Sequence, residues 1–357
     1  MKYFSIKLNK EIPIYSGGET LKGTLSFGLI EKLKINSVKL RIVGKAKVQW
    51  THGEATYRDV EKYIDVILFF LKKEADNDLY IQPGDYSYPF EVKLPENAPT
   101  SFEHLNGRIR YSIKGTIDIP WAFDKHTKKS FSVLSHVDLN DYANVKQPYG
   151  VSAQKTLCCG PCSSKPITVT FSVSKIGHVP GEPILFNVSV VNQTRKEIKQ
   201  MKVTLMQNLR FEAKSRVRNC TRKVASMEFP NKVGIKTTEK WNNLPILIPS
   251  VSPSTMGNSR LIDVSYELFL NFDATGVSTS TDLNVPIVIG TIPLRKGNKI
   301  GNTDLPFLLE ECVFEPDPIQ IKENEQKQKR REVFETDANT FKPLYPYYKD
   351  YTGDEEF

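Results

Sequence analysis

Ile14-Tyr15-Ser16-Gly17-Gly18-Glu19-Thr20-Leu21-Lys22-Gly23-Thr24-Leu25-Ser26-Phe27, followed after a polar break by Val38-Lys39-Leu40-Arg41-Ile42-Val43-Gly44-Lys45-Ala46-Lys47-Val48-Gln49-Trp50, decides the fold of this chain. The stretch opens on a turn signal and then alternates. Val38, Leu40, Ile42, Ala46, Val48 and Trp50 share one parity, and Lys39, Arg41, Lys45, Lys47 and Gln49 hold the other. Side chains of a strand point to opposite faces with period two, so the pattern predicts one strand, or two joined at Gly44, with a buried face and a basic wet face. On a helix the same apolar residues would scatter round the axis.

The chain contains this stretch twice. Val179-Pro180-Gly181-Glu182 repeats the turn, and setting Glu19 against Glu182 gives an offset of about 163 that holds without a gap for roughly thirty residues. Leu21 then meets Ile184, Leu25 meets Val188, Ile35 meets Ile198, Val38 meets Met201, Leu40 meets Val203 and Ile42 meets Leu205. Later in each half the offset is near 154. Pro95 and Pro99 before Thr100-Ser101 mirror Pro249 and Pro253 before Ser254-Thr255. Ile109-Arg110-Tyr111-Ser112-Ile113 likewise resembles Val264-Ser265-Tyr266-Glu267-Leu268. Two copies of one all-β domain account for this.

The 357 residues suit two domains, each large enough for its own core. Strand signals separated by Gly, Pro, Asn and Asp clusters predict tandem immunoglobulin-like β-sandwiches. The boundaries read as a first sandwich over 1–140, a Gly/Pro/Ser/Cys-rich linker over 141–166, a second sandwich over 167–294, and an acidic, largely disordered tail over 295–357 with one weak helix across Glu323–Phe334. Phe4, Ile6 and Leu8 alternate with Ser5 and Lys7, so the N-terminus reads as a first strand rather than a signal peptide. Ile64–Leu71 is too short to span a bilayer and reads as a buried strand. Five cysteines, three of them crowded together, make a poor disulfide framework and point to a reducing, cytosolic setting. The sequons at Asn187, Asn192 and Asn219 then read as polar strand and turn residues.

Charge is uneven. The formal net charge is +8, with a basic excess over Lys196–Lys240 and an acidic tail, which suggests an anionic partner such as phosphorylated peptide or anionic lipid. Nucleic acid is disfavoured because no nucleic-acid module is recognisable. The five histidines are dispersed, with no Ser/His/Asp set, HExxH or Gly-rich phosphate loop, so catalysis is not expected and no cofactor is predicted.

Several segments together resemble the arrestin fold, and specifically the α-arrestins, the arrestin-domain-containing proteins. They are Tyr15-Ser16-Gly17-Gly18-Glu19, Thr100-Ser101-Phe102-Glu103, Gly107-Arg108-Ile109-Arg110-Tyr111, Pro120-Trp121, Lys155-Thr156-Leu157-Cys158-Cys159-Gly160-Pro161-Cys162, Pro180-Gly181-Glu182, Ile248-Pro249 with Pro253-Ser254, and Pro286-Ile287-Val288-Ile289-Gly290-Thr291-Ile292-Pro293. The resemblance implies a non-enzymatic cytosolic adaptor, peripheral at the plasma membrane or endosomes. Its body would engage cytoplasmic segments of membrane receptors or transporters, and its tail would recruit WW-domain HECT-type ubiquitin ligases through PPxY motifs for endocytic sorting.

The tail departs from that pattern. It carries no full PPxY; Lys342-Pro343-Leu344-Tyr345 overlaps Tyr345-Pro346-Tyr347-Tyr348, two Pro-x-Tyr cores without the leading proline. Pro343, Tyr345, Pro346 and Tyr348 are therefore candidates for a degenerate WW-docking site, weakened by about 1–2 kcal/mol for the missing ring. The alternative is an aromatic segment that packs on a partner or on the body.

Lys39, Arg41, Lys45 and Lys47, with Arg210 and Lys214 of a second row, are candidates for an anionic-partner face; the plainer reading is a solvated outer surface. Cys158, Cys159 and Cys162 are candidates for S-palmitoylation against reduced linker thiols, and with His178 they match no standard zinc set. Gly234–Trp241, where some family members carry a thioredoxin-binding cysteine, has none, and no buried interdomain charge cluster can be placed. Two other readings of the whole chain stand beside the adaptor: a trafficking scaffold that recruits no ligase, and a secreted β-sandwich adhesion protein.

Overall fold

The computed structural model describes residues 1–74, 77–156, 165–255, 257–274, 283–295, 307–314, 341–349 and 351, and these residues contain no α-helix. In the first domain β1 (Tyr3–Leu8), β2 (Ile14–Ser16), β3 (Thr20–Leu29), β4 (Leu33–Ile35), β5 (Ser37–His52), β6 (Ala55–Lys72), β7 (Leu79–Ile81), β8 (Gly84–Lys93), β9 (Phe102–His104), β10 (Gly107–Asp118) and β11 (Lys125–Leu134) follow one another. They form a sheet of order β1-β3-β8 and a larger one of order β2-β11-β10-β5-β6 with β9 on β10. The second domain contains β12 (Tyr149–Lys155), β13 (Ile167–Val173), β14 (Gly177–His178), β15 (Pro183–Asn192), β16 (Ile198–Ala213), β17 (Arg216–Glu228), β18 (Thr238–Leu247), β19 (Ile262–Ala274) and β20 (Leu283–Ile289). Its sheets run β12-β13-β15-β18 and β14-β20-β19-β16-β17.

The duplication extends to individual hydrogen bonds. A short parallel strand opens the large sheet in each domain, β2 on β11 and β14 on β20. Both copies of the turn have glycine third, at φ 79° for Gly18 and 93° for Gly181, the left-handed position that excludes side chains. In each the glutamate side chain accepts from the turn's first residue, Ser16 N to Glu19 at 3.0 Å and Val179 N to Glu182 at 3.1 Å. The Tyr111 hydroxyl donates to the Pro99 carbonyl at 2.7 Å, as Tyr266 does to Ser252 at 2.6 Å. Every aligned apolar pair from Leu21/Ile184 to Ile42/Leu205 is buried.

The alternating stretch is one continuous strand, β5, with its even-numbered apolar residues in the core. Gly44 belongs to that buried parity because a Cβ there would lie 2.3 Å from the Tyr111 ring. On the other side of β5 the pairing with β6 slips between Gly44 and Lys45.

Three expectations are corrected. The linker over 141–166 contains a strand, β12, whose seven residues pair with β13 and join the second sandwich. Ile64–Leu71 lies in β6, an edge strand; Ile64 is buried, whereas Ile67 and Phe69 face outward about half exposed. Within 295–357, expected to be largely disordered, the described residues include β21 (Leu308–Glu311), which pairs antiparallel with β22 (Leu344–Tyr347). The helix expected over Glu323–Phe334 lies outside the described residues.

Candidate functional site

Pro343 and Pro346 keep Leu344-Tyr345-Pro346-Tyr347 extended, and proline's missing N–H is tolerated because β22 has a partner on one side only, β21. The two strands make a strap laid across both domains. Tyr345 is 1% exposed, and its hydroxyl donates to the Ser101 carbonyl of the first domain at 2.8 Å. Tyr348, 4% exposed, donates its hydroxyl to the Thr291 carbonyl at 2.7 Å and its backbone N–H to Pro180 of the second domain at 2.9 Å. Val313 N–H donates to Ser250 at 2.9 Å, and the Ser250 hydroxyl to Glu310 at 3.1 Å. Phe307 and Tyr351 pack on the Tyr348 ring, and Lys342 pairs with Glu311 at 3.1 Å.

Burial controls the chemistry of these groups. It pushes the Tyr345 phenol far up, and with Asp138 nearby it takes Tyr348 to about 12, so both remain neutral donors at physiological pH. Burial also raises the Cys312 thiol. Pro343 and Pro346 are buried as well, so all four residues of the predicted WW-docking set are covered by the body. A WW groove needs the proline ring and the tyrosine together, and therefore needs the strap to come off.

Beneath the strap the domains meet through groups that sequence reasoning did not find. Asp138 pairs with Arg295 at 2.9 Å, and Val137 N–H donates to the Thr291 hydroxyl at 2.9 Å. Arg222 of β17 stacks 4.0 Å from the Phe314 ring centroid and also lies over Phe102, so one guanidinium joins strap, first domain and second. His104 stacks on Phe211 across the junction; burial, then Arg222 and Arg218, pushes its imidazole down to about 4. Within the second domain, Glu182 of the repeated turn is buried and meets Lys175 at 2.7 Å and His178 at 3.3 Å. Burial alone would raise this carboxyl, and the contacts with His178 and Lys175 outweigh it and lower it.

The structure does not bring the two basic rows together. Lys39, Arg41, Lys45 and Lys47 line the outer face of β5 in the first domain, whereas Arg210 lies on β16 and Lys214 in the β16–β17 turn of the second. Lys39 pairs with Asp118 at 3.5 Å, Arg41 grips Asp65 through two bonds of 2.7 and 2.8 Å, and Arg210 pairs with Glu212 at 2.9 Å. The β5 row is instead extended by β10 and β11. Lys47 lies opposite Arg108, Lys45 opposite Arg110, and Lys114 between Arg41 and Lys128. Burial, then Arg110, Arg108, Lys45 and Lys114, pushes the Lys128 ammonium down to about 8. Arg110 is held by Glu103 through two hydrogen bonds, and because cations outnumber the carboxylates along these strands the face keeps a net positive field.

Cys158, Cys159 and Cys162 lie outside the described residues. Asn192 is buried, its amide donating to Lys196 and Gly234 at 2.8 Å each, which makes it a structural residue and not an accessible sequon.

Residues 4–140 match the family described as "Arrestin (or S-antigen), N-terminal domain", and residues 163–294 match "Arrestin (or S-antigen), C-terminal domain". The chain is 28% identical over 310 residues to Arrestin domain-containing protein 17 of Caenorhabditis elegans, covering 81% of this chain and 70% of that protein. It is 28% identical over 292 residues to human Arrestin domain-containing protein 4, covering 78% and 68%. To Arrestin domain-containing protein 1 of Rattus norvegicus it is 26% identical over 300 residues, covering 83% and 66%.

Proposed function

Because the chain belongs to the arrestin family, among the arrestin-domain-containing proteins, we propose that it is a non-enzymatic adaptor. In this reading its two sandwiches hold cytoplasmic segments of membrane receptors or transporters at the plasma membrane or endosomes, and its tail offers a releasable ligase-docking segment. The strap carries the reading. Tyr345 and Tyr348, the residues a WW domain would take, are the same residues that tie the tail to the body. Docking and recognition are therefore mutually exclusive, and the tail works as a ligand the body withholds.

The test compares a peptide spanning Thr340–Tyr351 with the full chain against WW domains of HECT-type ligases. If opening the strap costs about 3 kcal/mol, the full chain binds roughly 150-fold more weakly than the peptide. Tyr345→Ala or Tyr348→Ala in the peptide abolishes the difference by abolishing binding. A peptide that fails to bind at high concentration removes the ligase link. Burial of all four docking residues favours a second reading for that case, a trafficking scaffold whose tail stays down as part of the body.

A further inference from the structure

The connection between β10 and β11 is six residues, Ile119-Pro120-Trp121-Ala122-Phe123-Asp124, and it leaves its two aromatic rings in water. Trp121 is 104% exposed and Phe123 87%. The tip is built, with Ile119 N–H donating to the Asp124 carboxylate at 3.3 Å and Ile117 paired with Lys125 below it. Trp121 holds φ 61°, a left-handed conformation that costs energy for a bulky side chain. Single exposed apolar residues are ordinary, but two bare rings on one ordered six-residue turn are not.

The tip is at the end of the sheet remote from the second domain. At the other end of β10, Gly107 abuts Phe211 of β16, so the length of the strand, about 37 Å, separates the tip from the domain junction. Behind the tip on the outer face lie Lys114, Lys128 and Arg41 in one cross-strand row, with Lys39 opposite Thr116 in the next. Ile67 and Phe69 of β6, opposite Arg41 and Lys39, add apolar surface at the same end.

We propose that this tip and the row behind it form a membrane-contact surface, in which Trp121 and Phe123 enter the headgroup region of an anionic bilayer and Lys114 and Lys128 lie over its surface. Trp is the side chain most at home at a membrane interface, with an apolar body and one N–H for the headgroups. Both rings stand almost fully clear of the body, which suits insertion into a lipid surface better than the grip of a peptide. Arg41, on the row behind the tip, already grips Asp65 through Nε and one Nη, so the row provides a diffuse field and not a bidentate phosphate clamp. Such contact would place the adaptor beside its cargo, yet it depends on lipid alone.

Sedimentation of the full chain with vesicles tests it, using phosphatidylcholine alone and phosphatidylcholine with about a third phosphatidylserine. The wild type is expected to bind the anionic vesicles and hardly the neutral ones. Trp121→Gly with Phe123→Ser, at exposed sites where glycine keeps the backbone conformation, lowers that binding by about tenfold or more. Lys114→Gln with Lys128→Gln lowers it by about fivefold per charge. With Trp50 and Trp241 replaced by Phe, Trp121 emission shifts to the blue on the anionic vesicles. Unchanged binding of the Trp121/Phe123 variant, or an unshifted emission with the chain bound, overturns the proposal. So does a lysine variant that loses affinity for a phosphorylated peptide while keeping vesicle binding. The WW-domain titration reads the opposite end of the sheet, so either result can fail alone.

Discussion

Replacing Tyr345 by alanine should lift the tail strap while leaving both sandwiches folded. The phenol is nearly inaccessible, and its hydroxyl is bonded to Ser101 at 2.8 Å. Truncating a buried aromatic of this size costs about 3–5 kcal/mol. The loss falls on strap docking alone, because Tyr345 lies in β22, outside both domain sheets. Native-state hydrogen exchange reads it directly at two amides that only the closed strap protects, Tyr348 bonded to Pro180 and Val313 bonded to Ser250. Their protection should fall by about 150-fold or more, or to that of a free peptide if docking is weaker than that. The main unfolding transition should barely move. Tyr345→Phe keeps the ring and strands the Ser101 carbonyl, a loss of about 1–1.5 kcal/mol and roughly a tenfold fall. Unchanged protection at Tyr348 and Val313 in the alanine variant would refute the view of the strap as one cooperative unit anchored by this ring.

Gly181→Ala combines a strained φ of 93° with a Cβ only 2.3 Å from the Tyr348 carbonyl oxygen; a urea midpoint should fall by about 2 kcal/mol or more, and by less in a chain ending at Thr340, which lacks that clash. Gly44→Ala drives a methyl into a Tyr111 ring pinned at Pro99 and should cost about 1–3 kcal/mol by the same measurement, with the strap's exchange rates unaffected. His104 favours its neutral form in the fold, with its imidazole at about 4 against an ordinary 6.5, so its contribution is complete above pH 6.5 and is lost as pH falls toward 4. Partial exposure reduces the full linkage to about 2 kcal/mol, and His104→Gln should flatten denaturant midpoints across that window. Glu182→Gln should flatten the profile lower down, below the carboxyl's ordinary 4.5, because the depressed acid stabilises the fold above that value and stops doing so as it protonates.

What could be read from sequence was what repeats locally. Val38–Trp50 and Met201–Phe211 alternate because one face of each strand is core, and a period-two record survives in the residues themselves. The two Gly-Glu turns were legible because only glycine accepts the third position. Strand β12 was not, since Tyr149–Lys155 carries small polar residues at alternate sites and resembles its linker surroundings. Continuous apolar character misled at Ile64–Leu71, where an edge strand leaves Ile67 and Phe69 outside. The docked tail left still less trace. The tyrosines and the Tyr348 amide that hold it bond the backbone carbonyls of Ser101, Pro180 and Thr291, which no pattern of side chains encodes. The ion pairs that occupy Lys39 and Arg41 come from Asp118 and Asp65, residues that only the sheet register makes neighbours.

The strap is anchored in both sandwiches, at Ser101 in the first and at Pro180, Ser250 and Thr291 in the second. A rotation of one sandwich against the other cannot preserve both sets of bonds, so interdomain angle and tail occupancy are thermodynamically linked variables. Reciprocity then fixes the sign and size in both directions: any ligand that twists the pair loosens the tail, and one that captures the tail eases the twist by an equal factor.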